Sequence, residues 1–477
     1  MAKKDKDKIK ISFVGNAADG VTGSCILVQT PNRQILLECG LYQSCGSVLE
    51  NYKINNKHFL FNPKKINYLF VMHNHSDHLC LAPKLYAKGC NAPMIMPKGS
   101  YDVAEILLND SANIMRSDAD WLSSRFKRNY QPIYTDSNVD ACLRHYEEYP
   151  MEEMVELDEY IKFRFIPSGH ILNSAQLELW ITYGNITKKI AYTSDLGNVH
   201  IKKHYTNTFK AITKADIMIG ESTYARHSEI ANMKMRKKDL EKLERAIRQT
   251  CIDEHGRVLL PCFANARTQE MLTHLYDIFG KDTGFKIPVL IDSPMAIKCC
   301  EAYTKNLCGF DAKKWKEVLD WSNVHFVTDP IESRKWREMK SPVVVLASSG
   351  MLVKGRSVSW ACDILPNAKD RIIFCGFSAE GSAGEVIKGG NRKTITLFGK
   401  RYSNRCKVMN LLSFSSHCQR DSLLSYYGSV QCEKIILVHG EAESKIEFAK
   451  ELQETISKNN NTSKVICATK GYSLTLG

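Results

Sequence analysis

The six residues His73-Asn74-His75-Ser76-Asp77-His78 place three imidazoles and a carboxylate in one short stretch. They follow directly on the apolar run 66–72, which reads as a buried strand. Side chains two apart on an extended chain point to the same side. His73 and His75, at the end of the strand, then reach one cation, and Asp77 and His78, a bend later, reach a second. Nitrogen and oxygen donors of this kind suit zinc, with bonds of about 2.0–2.2 Å. With 14 histidines in 477 residues, three at these fixed spacings arise by chance about 0.01 times per chain.

Two loops add donors. Pro167-Ser168-Gly169-His170 follows a strand read over 161–166, and Tyr192-Thr193-Ser194-Asp195 ends one read over 189–193. A single histidine after a strand is ordinarily a hydrogen-bonded loop residue. Beside the His73 cluster, His170 becomes the third imidazole. Asp195 has two oxygens to share between cations. Near the end of the sequence, Ser415-Ser416-His417 precedes a helix read over 422–427, and the apolar run 435–438 is a buried strand that leads into His439.

The elements that position these residues change character along the chain. Short runs at 9–14, 25–29 and 34–39 read as strands, and 82–87 as a helix closed by Gly89. Residues 101–150 read as helical and polar, with Leu107, Leu108 and Ile114 turned inward. Strands resume at 161–166, 175–183 and 189–193. After about residue 226, helices at 230–248, 268–279 and 296–304 alternate with strand-like runs at 257–262, 287–292, 324–327, 343–347 and 372–374. That alternation argues for a mostly parallel sheet covered by helices. Donor residues on both sides of this block make it an inserted domain. Three turns after its strands are small and polar: Asp292-Ser293-Pro294, 347–351 and 376–382. Glycine and serine there let backbone N–H groups approach an anion, although turn chemistry alone favours the same residues.

The chain is longer than one comfortable core, which predicts two domains. A hydrophobic share of 44% and a charged share of 25% are ordinary for a globular protein. The 65 basic and 52 acidic residues leave a net charge of +13, which favours a polyanionic partner such as nucleic acid. The sequence starts with the hydrophilic residues 1–8 rather than a secretory signal. Its 17 cysteines are therefore expected as reduced thiols in the cytoplasm, and no Cys-x-x-Cys pair marks a zinc ribbon or redox site. No apolar run approaches the ~18 residues needed to span a bilayer, so no membrane is expected as a partner.

With these residues in view the sequence resembles the β-CASP nucleases of the metallo-β-lactamase superfamily, from residues 21–25 to His439. It is most similar to the compact bacterial and archaeal ribonucleases, and more distantly to the nuclease subunit of the pre-mRNA 3′-end machinery. His73-x-His75-x-Asp77-His78 matches the family's second motif, His170 its third and Asp195 its fourth. Glu221 matches the β-CASP motif A acid, His417 motif B and His439 motif C; residues 261–272, 348–351 and 379–382 match blocks of the inserted domain. Three positions depart from the pattern. Glu38 stands where the first motif usually has Asp, Cys80 replaces a customary Gly, and Cys418-Gln419 follows His417 where Ala-Asp is common.

The resemblance implies an α/β architecture: a metallo-β-lactamase αββα sandwich over 1–225 and 401–477, with an inserted β-CASP α/β domain over 226–400 as a lid. It implies two zinc ions per chain, Mn²⁺ being an alternative because imidazole–carboxylate sites accept several divalent ions. His73, His75 and His170 would hold one, Asp77, His78 and His439 the other, and Asp195 would bridge, with Glu38 orienting ligands from behind. Single-stranded RNA would be hydrolysed to 3′-hydroxyl and 5′-phosphate ends, with His417 protonating the leaving oxygen and Glu221 orienting its imidazole. Ser348, Ser349 and Ser382 are candidates for gripping phosphates, with Lys388, Arg392, Lys393 and Arg401 adding charge. A homodimer is compatible with the resemblance.

Three rivals stand beside endonucleolytic cleavage. DNA-repair relatives tend to carry an aliphatic residue at motif C, so His439 favours RNA. A 5′-to-3′ exoribonuclease of the RNase J kind carries a further C-terminal domain that is not expected here. A non-catalytic RNA-binding or scaffold subunit would have lost metal ligands, and all seven are present.

Overall fold

The computed structural model describes residues 8–44, 46–199, 206–226, 233–306, 311–376, 378–459 and 461–476. The first residues of the helix expected from Ile230, residues 1–7 and Phe377 lie outside them. The chain divides into two compact units, one of Met1–Val199, Thr206–Glu229 and His417–Gly477, the other of His200–Tyr205 and Ile230–Ser416.

The first unit is an αββα sandwich. One seven-stranded sheet runs, in spatial order, Ser473–Leu476, Ile9–Phe13, Ile26–Gln29, Gln34–Leu37, Tyr68–Phe70, Met94–Pro97 and Tyr146–Tyr149. The other runs Lys464–Cys467, Lys434–Val438, Ile217–Glu221, Ile186–Tyr192, Ala175–Tyr183, Ile161–Pro167 and Val155–Glu156. Period-2 patterning decides which faces meet. In the strand Ile161–Pro167, Ile161, Phe163 and Phe165 are fully buried while Lys162 and Arg164 turn outward. These aromatics join Ile9, Ile11, Phe13, Ile35 and Leu37 of the other sheet in one inter-sheet core. The outer face of the second sheet, with Met218, Ile435 and Leu437, is covered by the helices Arg420–Ser429 and Ala442–Lys458 through Tyr427, Phe448 and Leu452.

The second unit is built on six parallel strands in the order Val324–Phe326, Val289–Asp292, Val343–Ala347, Arg257–Pro261, Arg371–Phe374 and Lys407–Asn410. The run Val343-Val344-Val345-Leu346-Ala347 is buried throughout, as a strand covered on both faces must be.

Three expectations need correction, and one region went unread. The stretch 101–150 is not helical throughout: the helices Tyr101–Phe126 and Asp136–Leu143 are followed by the strand Tyr146–Tyr149, whose Tyr-Glu-Glu-Tyr sequence suits a sheet edge but carries no apolar signal. Ile114 is exposed at 44%, because it sits about a quarter-turn off the stripe of Leu108, Ala112, Met115, Ala119 and Leu122. Residues 401–416 cluster with the second unit rather than the first, because the strand Lys407–Asn410 pairs with Arg371–Phe374. The C-terminal helix Ala442–Lys458 and strands Lys464–Cys467 and Ser473–Leu476 complete the sandwich and were not read from sequence.

Candidate metal centre

Five strands of the first unit end within three residues of a candidate functional group. Tyr68–Phe70 leads to His73, Ile161–Pro167 to His170, Ile186–Tyr192 to Asp195 and Lys434–Val438 to His439, while Glu221 closes Ile217–Glu221. Residues far apart in sequence thereby converge. His73 Nε2 and His170 Nε2 lie 3.1 and 3.2 Å from His75 Nδ1, and 3.6 and 3.5 Å from Asp195 Oδ2. On the other side, His439 Nε2 is 3.3 Å from His78 Nε2 and 3.2 Å from Asp77 Oδ2, and Asp195 Oδ1 is 3.3 Å from His78 Nε2.

These spacings fit a metal. Donor atoms bound tetrahedrally to zinc at about 2.0–2.1 Å stand about 3.3 Å apart. Three imidazole nitrogens converging on one point cannot all be satisfied by sharing protons, whereas a cation between them meets every lone pair. Asp195 is 2% exposed and its Oδ1 accepts no hydrogen bond, an arrangement that costs free energy unless a cation meets that oxygen. His73, His75, His170 and Asp195 form one ligand-type group, and Asp77, His78 and His439 another.

Electrostatics separate the two groups. Burial drives His73 and His170 well below the usual imidazole range and takes His75 down to about 4, so the first group presents neutral imidazoles. Burial works the same way on His78 and His439, but the carboxylates of Asp195 and Asp77 outweigh it and raise both. Asp195 is held well below the ordinary carboxylate range despite its burial, by His439 and His78.

Hydroxyls behind the donors fix the rings, a task that metal-ligating histidines require of their second nitrogen. Ser194 Oγ donates to Glu38 Oε1 at 2.9 Å and lies 3.2 Å from His73 Nδ1 and 3.5 Å from His78 Nδ1. Glu38, fully buried, also stands 3.3 Å from His78 Nδ1. Glu38 thus stands directly behind His78, and behind His73 through Ser194. Thr223 Oγ1 lies 2.8 Å from His439 Nδ1. Ser194 and Thr223 escaped the sequence reading; the signal was their place beside Asp195 and Glu221. Glu38, Asn173, Ser194 and His439 all have positive φ, between 48° and 62°. Strain of that kind gathers at functional sites.

His417 stands at the edge of the cluster, its side chain 20% exposed. Its Nδ1 is 3.3 Å from Glu221 Oε1 and its Nε2 4.0 Å from Asp195 Oδ2. Glu221 is held in turn by Leu196 N at 2.8 Å and Thr223 N at 3.0 Å. The Tyr224 ring stacks on His417 with centroids 5.7 Å apart.

The three serines lie in the second unit. Ser382 Oγ accepts from Glu385 N, capping the helix Ala383–Lys388. Ser349 Oγ donates to Lys354 O and accepts from Val353 N, while Ser348 Oγ is buried without a partner. Two of the three hydroxyls are thus engaged in their own turns.

A buried imidazole–carboxylate cluster at the strand ends of an αββα sandwich is the arrangement of a metal-dependent hydrolase. Residues 268–387 match the Beta-Casp domain, and residues 401–463 match the family described as Zn-dependent metallo-hydrolase RNA specificity domain. In these two regions the chain is similar to the β-CASP nucleases of the metallo-β-lactamase superfamily. It is 27% identical to the transcription termination factor FttA of Methanocaldococcus jannaschii over 94% of this chain and 70% of that protein. It is 27% identical to Ribonuclease TTHA0252 of Thermus thermophilus over 91% of this chain and 94% of that one, and 24% identical to Integrator complex subunit 11 of Gallus gallus over 93% and 70%. In fold it is similar to a crystal structure of a protein of unknown function from Enterococcus faecalis, with a TM-score of 0.54 at 12% identity over 98% of this chain and 100% of that one.

Proposed function

We propose that this protein is a zinc-dependent ribonuclease that holds two zinc ions and cuts single-stranded RNA internally, leaving 3′-hydroxyl and 5′-phosphate ends. The observation that carries the two-ion reading is the division of Asp195: Oδ2 faces His73 and His170, and Oδ1 faces His78. Zinc bound there supplies Lewis acidity, acidifying water and neutralising charge at phosphorus. The chain's own residues do the rest. His417, at the open edge, donates a proton to the leaving 3′-oxygen, and Glu221 fixes its ring through Nδ1. The RNA-specificity match and the relative named as a ribonuclease support RNA as substrate, and His439 in the second donor group supports the same reading.

Among the described residues no helix is long and apolar enough to cross a membrane. The described cysteines, all free thiols, support a cytoplasmic location.

The test joins metal content to cleavage of an RNA labelled at its 3′ end, offered with a 5′-triphosphate or a 5′-monophosphate. About two zincs per chain and internal fragments from both substrates are expected; decay that requires the monophosphate would establish an exonuclease instead. His417→Ala is expected to lower the cleavage rate about 10²- to 10⁴-fold with zinc content unchanged. Zinc loss in that variant would overturn the role assigned to His417.

A further inference from the structure

The carboxyl edge of the parallel sheet in the second unit carries an aromatic face that the proposed chemistry leaves unused. Phe263 stands two residues past the strand Arg257–Pro261 and is 42% exposed. Its backbone is fixed, the carbonyl accepting from Thr268 N at 3.2 Å and Thr268 Oγ1 at 2.8 Å. Its ring seats against Gly350, where a β-carbon would stand 3.1 and 3.2 Å from two ring atoms. The lack of a side chain at Gly350 leaves room for the ring to lie against that loop.

The topology places this position where the connections of the sheet switch. From Arg257–Pro261 the chain passes through the helix Arg267–Phe279 to Val289–Asp292 on one side of the sheet. From the adjacent strand Val343–Ala347 it passes through the helix Arg356–Ile364 to Arg371–Phe374 on the other. Where neighbouring connections diverge in this way, open α/β sheets bind ligands beyond the strand ends. Phe263 and Gly350 stand in the two diverging loops.

Two further polar groups lie close by, Ser348 in the loop of Gly350 and Ser378 in the loop that follows the strand Arg371–Phe374. Ser348 Oγ and Ser378 Oγ are both buried without a hydrogen bond, and Ser378 is only 8% exposed. The loops of these two serines are joined through Gly384, whose N donates to Met351 O at 3.0 Å and whose β-position is 3.0 Å from Ser378 Oγ. The Arg267 guanidinium lies under Gly376, 3.8 Å from its β-position.

We propose that Phe263 is a stacking platform for a nucleobase of single-stranded RNA, with the Ser348 and Ser378 hydroxyls pairing with the same nucleotide's sugar or phosphate. This rests on the reading of RNA as substrate. Stacking on an aromatic face is tolerant of base identity, so the platform adds affinity with little sequence preference.

The experiment measures kcat and KM of the zinc-loaded full chain on a single-stranded RNA and on bis(p-nitrophenyl) phosphate, which has a phosphodiester and no base. Phe263→Ala is expected to raise the RNA KM about 10-fold, with kcat and diester hydrolysis unchanged. Phe263→Trp should hold the KM near that of wild type and lose indole fluorescence on adding RNA. The stacking role is overturned by an unchanged RNA KM in Phe263→Ala, by a Phe263→Leu variant as good as wild type, or by equal losses on both substrates, which would mark a structural role. A wild-type protein that hydrolyses the diester but neither binds nor cuts RNA would sink the substrate reading itself, and this platform with it.

Discussion

Both compact units put their candidate functional groups just past the carboxyl ends of strands, yet the two edges are made of opposite material. In the first unit, side chains from positions 73, 170, 195 and 439 meet within 4 Å, and the rings of His73, His78 and His439 are braced from behind by Ser194, Glu38 or Thr223. In the second, Ser349 and Ser382 spend their hydroxyls on their own turns, leaving an exposed ring and two unpaired hydroxyls. A metal demands particular donor atoms at fixed spacing. A surface for a flexible polyanion demands shape, backbone and a π-face. One edge is therefore written in residue types and the other in geometry.

The comparison breaks most visibly at Asp195. If its two oxygens serve two ions, Asp195→Ala is expected to leave less than one zinc per chain after dialysis and to lower RNA cleavage more than about 10³-fold, beyond the 10–100-fold of an orienting residue. Retention of two zincs would show that the donor groups are independent. Ser194→Ala probes the brace shared by His73 and His78. Zinc affinity, measured by competition with a chromophoric chelator, is expected to weaken about 10- to 100-fold, and unchanged affinity would reduce Ser194 to a packing residue.

On the other edge, Ser382→Ala removes a helix cap and nothing the metals need. It is expected to cost about 1 kcal/mol of stability in denaturant titration, with zinc content at the wild-type level. A loss of RNA affinity without that stability change would return Ser382 to phosphate binding.

How much was legible in the sequence follows the same division. His73, His75, Asp77, His78, His170 and Asp195 stood out because imidazole and carboxylate at strand ends carry their chemistry in their names, and the structure gathers them with His439 into two ligand-type groups. The parallel sheet of the second unit was legible from long apolar runs such as 343–347. Ser194 and Thr223 were missed because a hydroxyl beside a ligand looks like any loop serine until the ring it braces is in place. The polar edge strand Tyr146–Tyr149 was missed because a strand with one partner shows no apolar alternation. Phe263 was hidden by its type: nothing in sequence distinguishes an exposed ring after a strand from a buried one.

Lys388 offers the subtlest test, because it was read as surface charge and the structure half-buries it. At the end of the helix Ala383–Lys388 its ammonium lies 5.1 Å from the centroid of the Phe374 ring and donates to Gly376 O. Burial takes its pKa from the usual 10.5 down to about 8. The folded value lies below the unfolded one, so between about pH 8 and 10.5 the unfolded chain holds a proton that the folded chain lacks. Stability from this group therefore rises with pH through that window. Charge at the edge falls over the same range. Between pH 7 and 9 the wild-type protein is expected to lose RNA affinity a few-fold more steeply than Lys388→Arg, whose guanidinium stays charged, while gaining stability relative to Lys388→Met. Parallel affinity profiles for wild type and Lys388→Arg would place Lys388 outside the RNA path and leave the second unit's edge to the ring, the hydroxyls and the backbone.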